Sequence, residues 1–376
     1  MLNHDFIRAL PGHERVLRHN GLHRIHVDPL LLLLVGLVVF FGLVVLYSAV
    51  DQNPDLFRAQ LVRLGLAFVA LIAAAQLPPR LYIRWAPFIY VVGVLLLLAV
   101  LLVGVKVKGS QRWLEIPGVT RFQPSELMKI AVPLAVAWYF HDRPLPPSFG
   151  DVCIALAIVA VPAGCIIAQP DLGTGILVAG AGLAVVVLAG LPWRWVLYAF
   201  LAVAAAAPGL WYTLQDYQRQ RILTLFDPES DPLGAGWNII QSTTAIGSGG
   251  IWGKGLLQGT QSRLDFLPES RTDFIIAVVG EELGLVGISV LLALYVMIIG
   301  RGLYLASHAE STFGRLLSGA LILTFFVYVF VNIAMVSGLL PVVGVPLPLV
   351  SYGGTSAITL MTGFGIVMAI RSHKAW

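Results

Sequence analysis

Apolar residues in this chain neither alternate with polar ones nor keep to one face of a helix; they come in nearly unbroken runs of roughly 18 residues or more. Ten such runs fall at roughly 30 to 49, 60 to 76, 85 to 105, 124 to 141, 152 to 168, 174 to 191, 195 to 213, 273 to 299, 314 to 337 and 354 to 370. Each is long enough to cross a hydrocarbon layer about 30 Å thick, whereas a membrane barrel would show alternating segments of about ten residues. The pattern predicts an all-α polytopic membrane protein with ten transmembrane helices and both termini on one side. A single domain is expected over 30–376, preceded by a polar tail at 1–29. Most connections are short. The exception is 214–272, between helices seven and eight, too long for a plain connection. Its glycines alternate with Trp237, Ile239, Ile240, Ile251, Trp252, Leu256, Leu257 and Phe266, so it should pack on the bundle as short helices and turns. The spans show no internal repeat, which weakens an inverted-repeat transporter architecture.

Charge fixes the orientation. With the termini cytoplasmic, twelve Lys and Arg residues lie inside and eleven outside, with Lys129 within a span. The positive-inside bias acts through short loops, and setting aside the five cations of 214–272 leaves twelve against six. Cytoplasmic termini and a large periplasmic loop follow. The surplus of outer cations points to anion binding. Composition agrees with the spans: of 376 residues 58% are hydrophobic and 12% charged, where soluble domains carry about 25% charged residues. Cys153 and Cys165 share one span and read as core fillers, with neither a disulfide nor a metal site implied. Arg8, Arg15, Arg18 and Arg24 precede the first span, and with no small-residue cleavage site after it this span is expected to be a retained helix.

Candidate chemistry sits at the span ends. In "FLPESRTDFIIAVVGEELGLVG", Asp273 stands at the mouth of the eighth helix beside Arg271. It reads either as a helix cap or as a general base at the membrane–water boundary, its pKa raised by apolar surroundings. Glu281 and Glu282 would lie about 12 to 14 Å deeper, and at least one should pair with a cation or a helix end. "RFQPSELMK" opens the fourth helix. Pro124 suits its first turn, Gln123 or Ser125 can satisfy free N–H groups, and Glu126 and Lys129 make an i,i+3 ion pair. That pair is either a way of neutralising two charges in place or, with Arg121, a cationic site for the pyrophosphate of a lipid-linked substrate.

Four further segments carry weaker signals. Asp171 in "QPDLGTG" fits ordinary turn chemistry. Arg219 and Arg221 in "DYQRQR" suit bidentate phosphate contact or a solvated loop face equally well. "IGSGGIWGKGLLQGT" contains Lys254 among glycines but lacks the phosphate-loop spacing. "GVPLPLVSYGGTS", with Ser351, is irregular backbone between the last two spans and is expected to line a cavity. No catalytic triad order, HExxH, CxxC or dinucleotide fingerprint occurs.

Together "RFQPSELMK", "AQPDLGTG", "DYQRQRI", "DPESDPLGAGW", "FLPESRTDFI", "GEELG" and "PLPLVSYGG", in this order over nearly the whole chain, resemble the SEDS family of bacterial cell-wall proteins. "DYQRQR" and "PVVGVPLP" are closer to the branch serving cell elongation than to the division branch. The resemblance implies ten helices in the cytoplasmic (inner) membrane, with cytoplasmic termini and a site facing the periplasm. It also implies a peptidoglycan glycosyltransferase that polymerises lipid II, working with a class B penicillin-binding protein as transpeptidase. The family's essential aspartate corresponds to Asp273 and its fourth-helix ion pair to Glu126 and Lys129. On that reading Asp273 takes the proton of the acceptor hydroxyl and the donor anomeric carbon inverts. Arg121, Lys129, Arg219 or Arg221 neutralise the undecaprenyl pyrophosphate, with a divalent cation, Mg or Mn, as a further aid. Asp171, Lys254 and Ser351 are supporting candidates; no organic cofactor and no nucleic acid are expected, and membrane lipids are. The rival readings are a lipid II flippase and a scaffold that activates a partner enzyme.

Overall fold

The computed structural model describes residues 26–107, 110–115, 121–214, 216–230, 235–263 and 269–373; most of the polar tail and Lys108 lie outside them. Every expected span is occupied by a helix: α1 Pro29–Ala49, α2 Pro54–Gln76, α3 Pro79–Val103, α4 Pro124–Phe140, α5 Phe149–Ala168, α6 Leu172–Leu188, α7 Trp193–Thr213, α11 Ile275–Ser307, α12 Thr312–Val336 and α13 Thr355–Ser372. Among the described residues, seven of these (α1, α2, α3, α5, α11, α12 and α13) are long and apolar enough to cross a membrane.

Local chemistry sets the helix starts. α1 to α4 each open on a proline, whose missing N–H would be unsatisfied there in any residue. Asp28, Asn53, Asp171 and Ser311 accept first-turn N–H groups of α1, α2, α6 and α12, and Ser148 with Asp151 forms a capping box on α5. The expected caps of α4 do not form: Gln123 makes no side-chain cap bond, and the buried Ser125 hydroxyl finds no partner.

His26 and His373 stack with ring centroids 3.9 Å apart, so the two ends of the described chain share one end of the bundle, the terminal end. There Asp28 takes a forked pair of bonds from Arg301, at 3.1 and 2.6 Å, joining the start of α1 to the far part of α11. α12 is the central helix, with 67% of its apolar window buried, and it packs on α4, α6, α11 and α13. α13 also lies along α2 so closely that a Cβ on Gly365 would collide with the Leu71 carbonyl. Cys165 is half-buried, but Cys153 is exposed on α5 and is not the core filler expected.

At the opposite, loop end, α3 leads into a small antiparallel sheet of β1 Val105–Val107, β2 Ser110–Glu115 and β3 Arg121–Phe122, ordered β1-β2-β3. Leu114 pairs with Phe122, and Glu115 with Arg121. The segment 214–272 forms α8 Asp216–Phe226, a 3-10 turn at Pro228–Ser230, α9 Ala235–Ser248 and α10 Thr260–Arg263. α9 rests on α11 and α12, where the Ser242 hydroxyl donates to the Val336 carbonyl at 2.8 Å.

α11 is not one straight helix. Gly284 has φ 63 and ψ −160, a conformation essentially reserved for glycine, and it breaks the helix into a short first part and a long second part. The glutamates are therefore not carried deep into a continuous span: Glu282 bonds Ser48, the second-last residue of α1, and so stands level with that helix's loop end. A Cβ on Gly284 would also strike Gly253 N and the Ile251 carbonyl. Gly284→Ala should cost at least about 1–3 kcal/mol, read as a lower thermal midpoint in detergent; an unchanged midpoint would show that the break is not fixed by this residue.

Candidate active site

Asp273 lies in the turn that precedes α11, and the N-cap of that helix is Phe274, so the aspartate is not the cap residue. Three successive carbonyls of its turn are each held from outside. The Arg271 carbonyl accepts from Tyr352 N at 2.8 Å, the Thr272 carbonyl from the Ser351 hydroxyl, and the Asp273 carbonyl from Asn332 Nδ2 at 2.8 Å. Ser351 itself accepts from Leu347 N at 2.8 Å, tightening the irregular segment that carries it. That segment enters the bundle. The Pro348 carbonyl takes the hydroxyl of the buried Tyr295 at 2.6 Å, and Val350 packs where a Cβ on Gly42 would stand. Irregular backbone inside a membrane bundle persists where protein covers it, and here α1, α11 and α12 do so.

The carboxylate of Asp273 lies against Gly344: a Cβ added there would sit 3.5 Å from its Oδ2, and the glycine's φ of 75 is one that other residues rarely adopt. Gly344 is flanked by Val343, which packs on Gly173 at the start of α6, and by Val345, whose carbonyl accepts from Asn332 Nδ2 at 2.6 Å. Two carbonyl partners fix which end of the Asn332 amide faces them. Its other end, Oδ1, is buried without a hydrogen-bond partner.

α12 links this turn to the ion pair of α4. Tyr328 is four residues before Asn332, one helical turn and about 6 Å away on the same face. The Lys129 ammonium lies 4.8 Å from the Tyr328 ring centroid and bonds Glu126 at 2.6 Å, both charged residues being buried. Asp171 is brought near by α6: it caps that helix through Thr174 N at 3.2 Å and pairs with Arg112 of β2 at 3.4 Å. A polar seam thus runs from Asp171 and the Glu126–Lys129 pair, past Tyr328 and Asn332, to Asp273. A small cavity between α4, α12 and α13 opens beside it, lined by Lys129, Thr324, Tyr328 and Thr359 among apolar neighbours.

Other sequence candidates lie elsewhere. Arg219 donates to the Trp211 and Tyr212 carbonyls, at 3.0 and 2.8 Å, closing the end of α7. Arg221 is exposed on α8. Lys254 bonds Glu281 at 2.7 Å, eight residues beyond Asp273 in the chain. Arg121 is placed by its backbone in β3, next to the start of α4. Two residues of the site escaped the sequence reading. Asn332 is an uncharged polar residue in an otherwise apolar run. The other is Arg63 of α2, whose guanidinium lies 4.6 Å from the Tyr352 ring centroid; a cation inside a span was the signal. Among the described residues no three His, Cys, Asp or Glu side chains converge as metal ligands.

Residues 25–375 match a family profile, that of FtsW, RodA and SpoVE, described as cell cycle protein. The chain belongs to that family, which is the SEDS family its motifs resemble. It is 54% identical over 352 residues to the peptidoglycan glycosyltransferase MrdB of Escherichia coli K12, covering 93% of this chain and 95% of the relative. A probable peptidoglycan glycosyltransferase FtsW of Trichlorobacter lovleyi is 34% identical, covering 91% and 92%. Among solved structures, a chain from a peptidoglycan synthase complex that coordinates polymerization and crosslinking superposes with a TM-score of 0.81 at 33% identity, covering 92% and 97%. The rod shape determining protein RodA of Thermus thermophilus superposes at 0.70 with 30% identity, covering 92% and 96%.

Proposed function

We propose that this chain is a peptidoglycan glycosyltransferase that polymerises lipid II during cell elongation, with Asp273 as its general base. The observation that carries the assignment is the triple hold on the carbonyls of Arg271, Thr272 and Asp273, which presents one carboxylate at the end of a buried polar seam. A base must be fixed within hydrogen-bond reach of the proton it takes. Asp273 accepts the proton of the acceptor sugar's 4-hydroxyl as that oxygen attacks the donor anomeric carbon from the face opposite the departing undecaprenyl pyrophosphate. One base and a backside attack give inversion. Lys129, over Tyr328, and Arg63, over Tyr352, are the cations assigned to neutralise the leaving group. Arg121, in β3, stays a candidate for the same role by its sequence position.

In this reading all ten long helices cross the bacterial inner membrane, the termini are cytoplasmic, and the loop end faces the periplasm. The partner is a class B penicillin-binding protein, in keeping with the synthase complex to which the chain is similar. Glycan product from purified protein and labelled lipid II tests the assignment. Lipid II moved across a bilayer without polymer would favour a flippase instead.

Asn332 acts through Asp273 as a positioning residue. Asn332→Asp keeps its shape but loses both donated bonds, so kcat should fall about tenfold or more with KM nearly unchanged, because a small misplacement of a reacting group is costly. Equal kcat in variant and parent, at equal thermal midpoints, would remove that role.

A further inference from the structure

Glu281 and Glu282 take no part in the proposed chemistry, yet both are buried in α11, Glu281 completely. Burying a carboxylate at a membrane helix is costly unless it is paired and hydrogen-bonded. Glu281 Oε1 accepts from Lys254 Nζ at 2.7 Å, from Thr260 N and Oγ1 at 2.7 and 2.9 Å, and from Gln261 N at 3.0 Å. The main chain adds four bonds across the break of α11: Lys254 N to the Glu281 carbonyl at 3.0 Å, Gly255 N to Glu282 at 2.9 Å, Leu285 N to Gly250 at 3.0 Å and Val286 N to Ile251 at 3.1 Å. Gly250, Gly253 and Gly255, with φ of 58, 80 and 102, carry the segment 250–255, a strap laid across that break, through its reversal.

All this fixation holds outward two large side chains that belong to no core. Ile251 is 61% and Trp252 80% exposed. Their surroundings define what they face. The strap is bonded to Leu285 and Val286, the first residues of the long part of α11, and from there an exposed apolar strip continues down that helix through Val290, Val296 and Met297. Glu282 meanwhile bonds Ser48, next to the exposed Tyr47 in the last turn of α1. The tip thus stands where a lipid-facing surface ends, the level at which tryptophan and tyrosine gather in membrane proteins because their rings have an apolar body and a polar edge. We infer that Ile251 and Trp252 form a membrane-interface anchor whose partner is the boundary between headgroups and acyl chains at the loop end, and that the Glu281–Lys254 knot holds the strap at that height.

The test uses the full chain with Cys153→Ser and Cys165→Ser, in vesicles of phosphatidylethanolamine and phosphatidylglycerol. A nitroxide is attached at Trp252→Cys or, with the tryptophan kept, at Ile251→Cys; Val296→Cys is the lipid-facing reference and Glu229→Cys the loop reference. Collisions with oxygen, which concentrates in the bilayer, are compared with collisions with a water-soluble nickel chelate. The oxygen-to-nickel ratio at 251 and 252 should stand several-fold above that at Glu229, and adding Glu281→Gln should lower it and increase label mobility. Ratios at 251 and 252 equal to that at Glu229 overturn the anchor. So does shielding that arises only when a class B transpeptidase is added, because the strap would then be a protein-docking element. A ratio and mobility unmoved by Glu281→Gln overturn the role of the knot.

Discussion

Asp273→Ala should lower polymerisation of labelled lipid II by roughly 10²–10⁴-fold, the usual contribution of a positioned general base. The loss should fall on kcat, because the turn is held by its carbonyls, which alanine retains. The three bonds from Tyr352, Ser351 and Asn332 go to main-chain oxygens of 271 to 273, so the fold around the turn has no need of the carboxylate for them. Thermal midpoint and capture of the penicillin-binding partner should therefore match the parent. Asp273→Asn sharpens the comparison by keeping size and polarity while removing basicity, and it should be nearly as inactive. A variant of either kind with parental turnover would end the assignment, and a variant that unfolds would show that the residue holds the turn rather than the reaction.

Breaking the buried pair of α4 should produce the largest loss of stability. Lys129→Met leaves Glu126 buried beside Tyr328 with no cation, and one of its oxygens, Oε2, already lacks a hydrogen-bond partner. Removing one member of a buried pair costs about 3–5 kcal/mol, whereas replacing both by apolar residues of similar volume is often neutral or stabilising. The double variant Glu126→Leu, Lys129→Met should accordingly recover most of the midpoint lost in the single one. Activity then separates the two roles set out for the pair. A stable double variant without polymerase activity assigns Lys129 to the substrate's anionic group. A stable and active one leaves the pair as internal neutralisation only.

Much of the helical plan was legible because an apolar run of span length has few alternatives in water or lipid. Glu126 and Lys129 were legible for a similar reason: two opposite charges one turn apart in such a run must meet. The break at Gly284 was not, since a lone glycine in an apolar helix is common and only the strap lying across it demands the unusual backbone. Asn332 was invisible because it acts on carbonyls contributed by segments 59 and 13 residues away in sequence. Arg219 misled through its type: phosphate and the last carbonyls of a helix attract the same fork of N–H donors, and only the position of α8 after α7 decides between them.

The close seating of α13 along α2 has a consequence for biogenesis. α2 leaves the ribosome well before the neighbour that Gly365 admits to its backbone, because residues 77–354 are made in between. Until then that flank of the newborn bundle stays uncovered, so a chain cut short before residue 355 lacks the piece that seals it and keeps an apolar face open to misassembly.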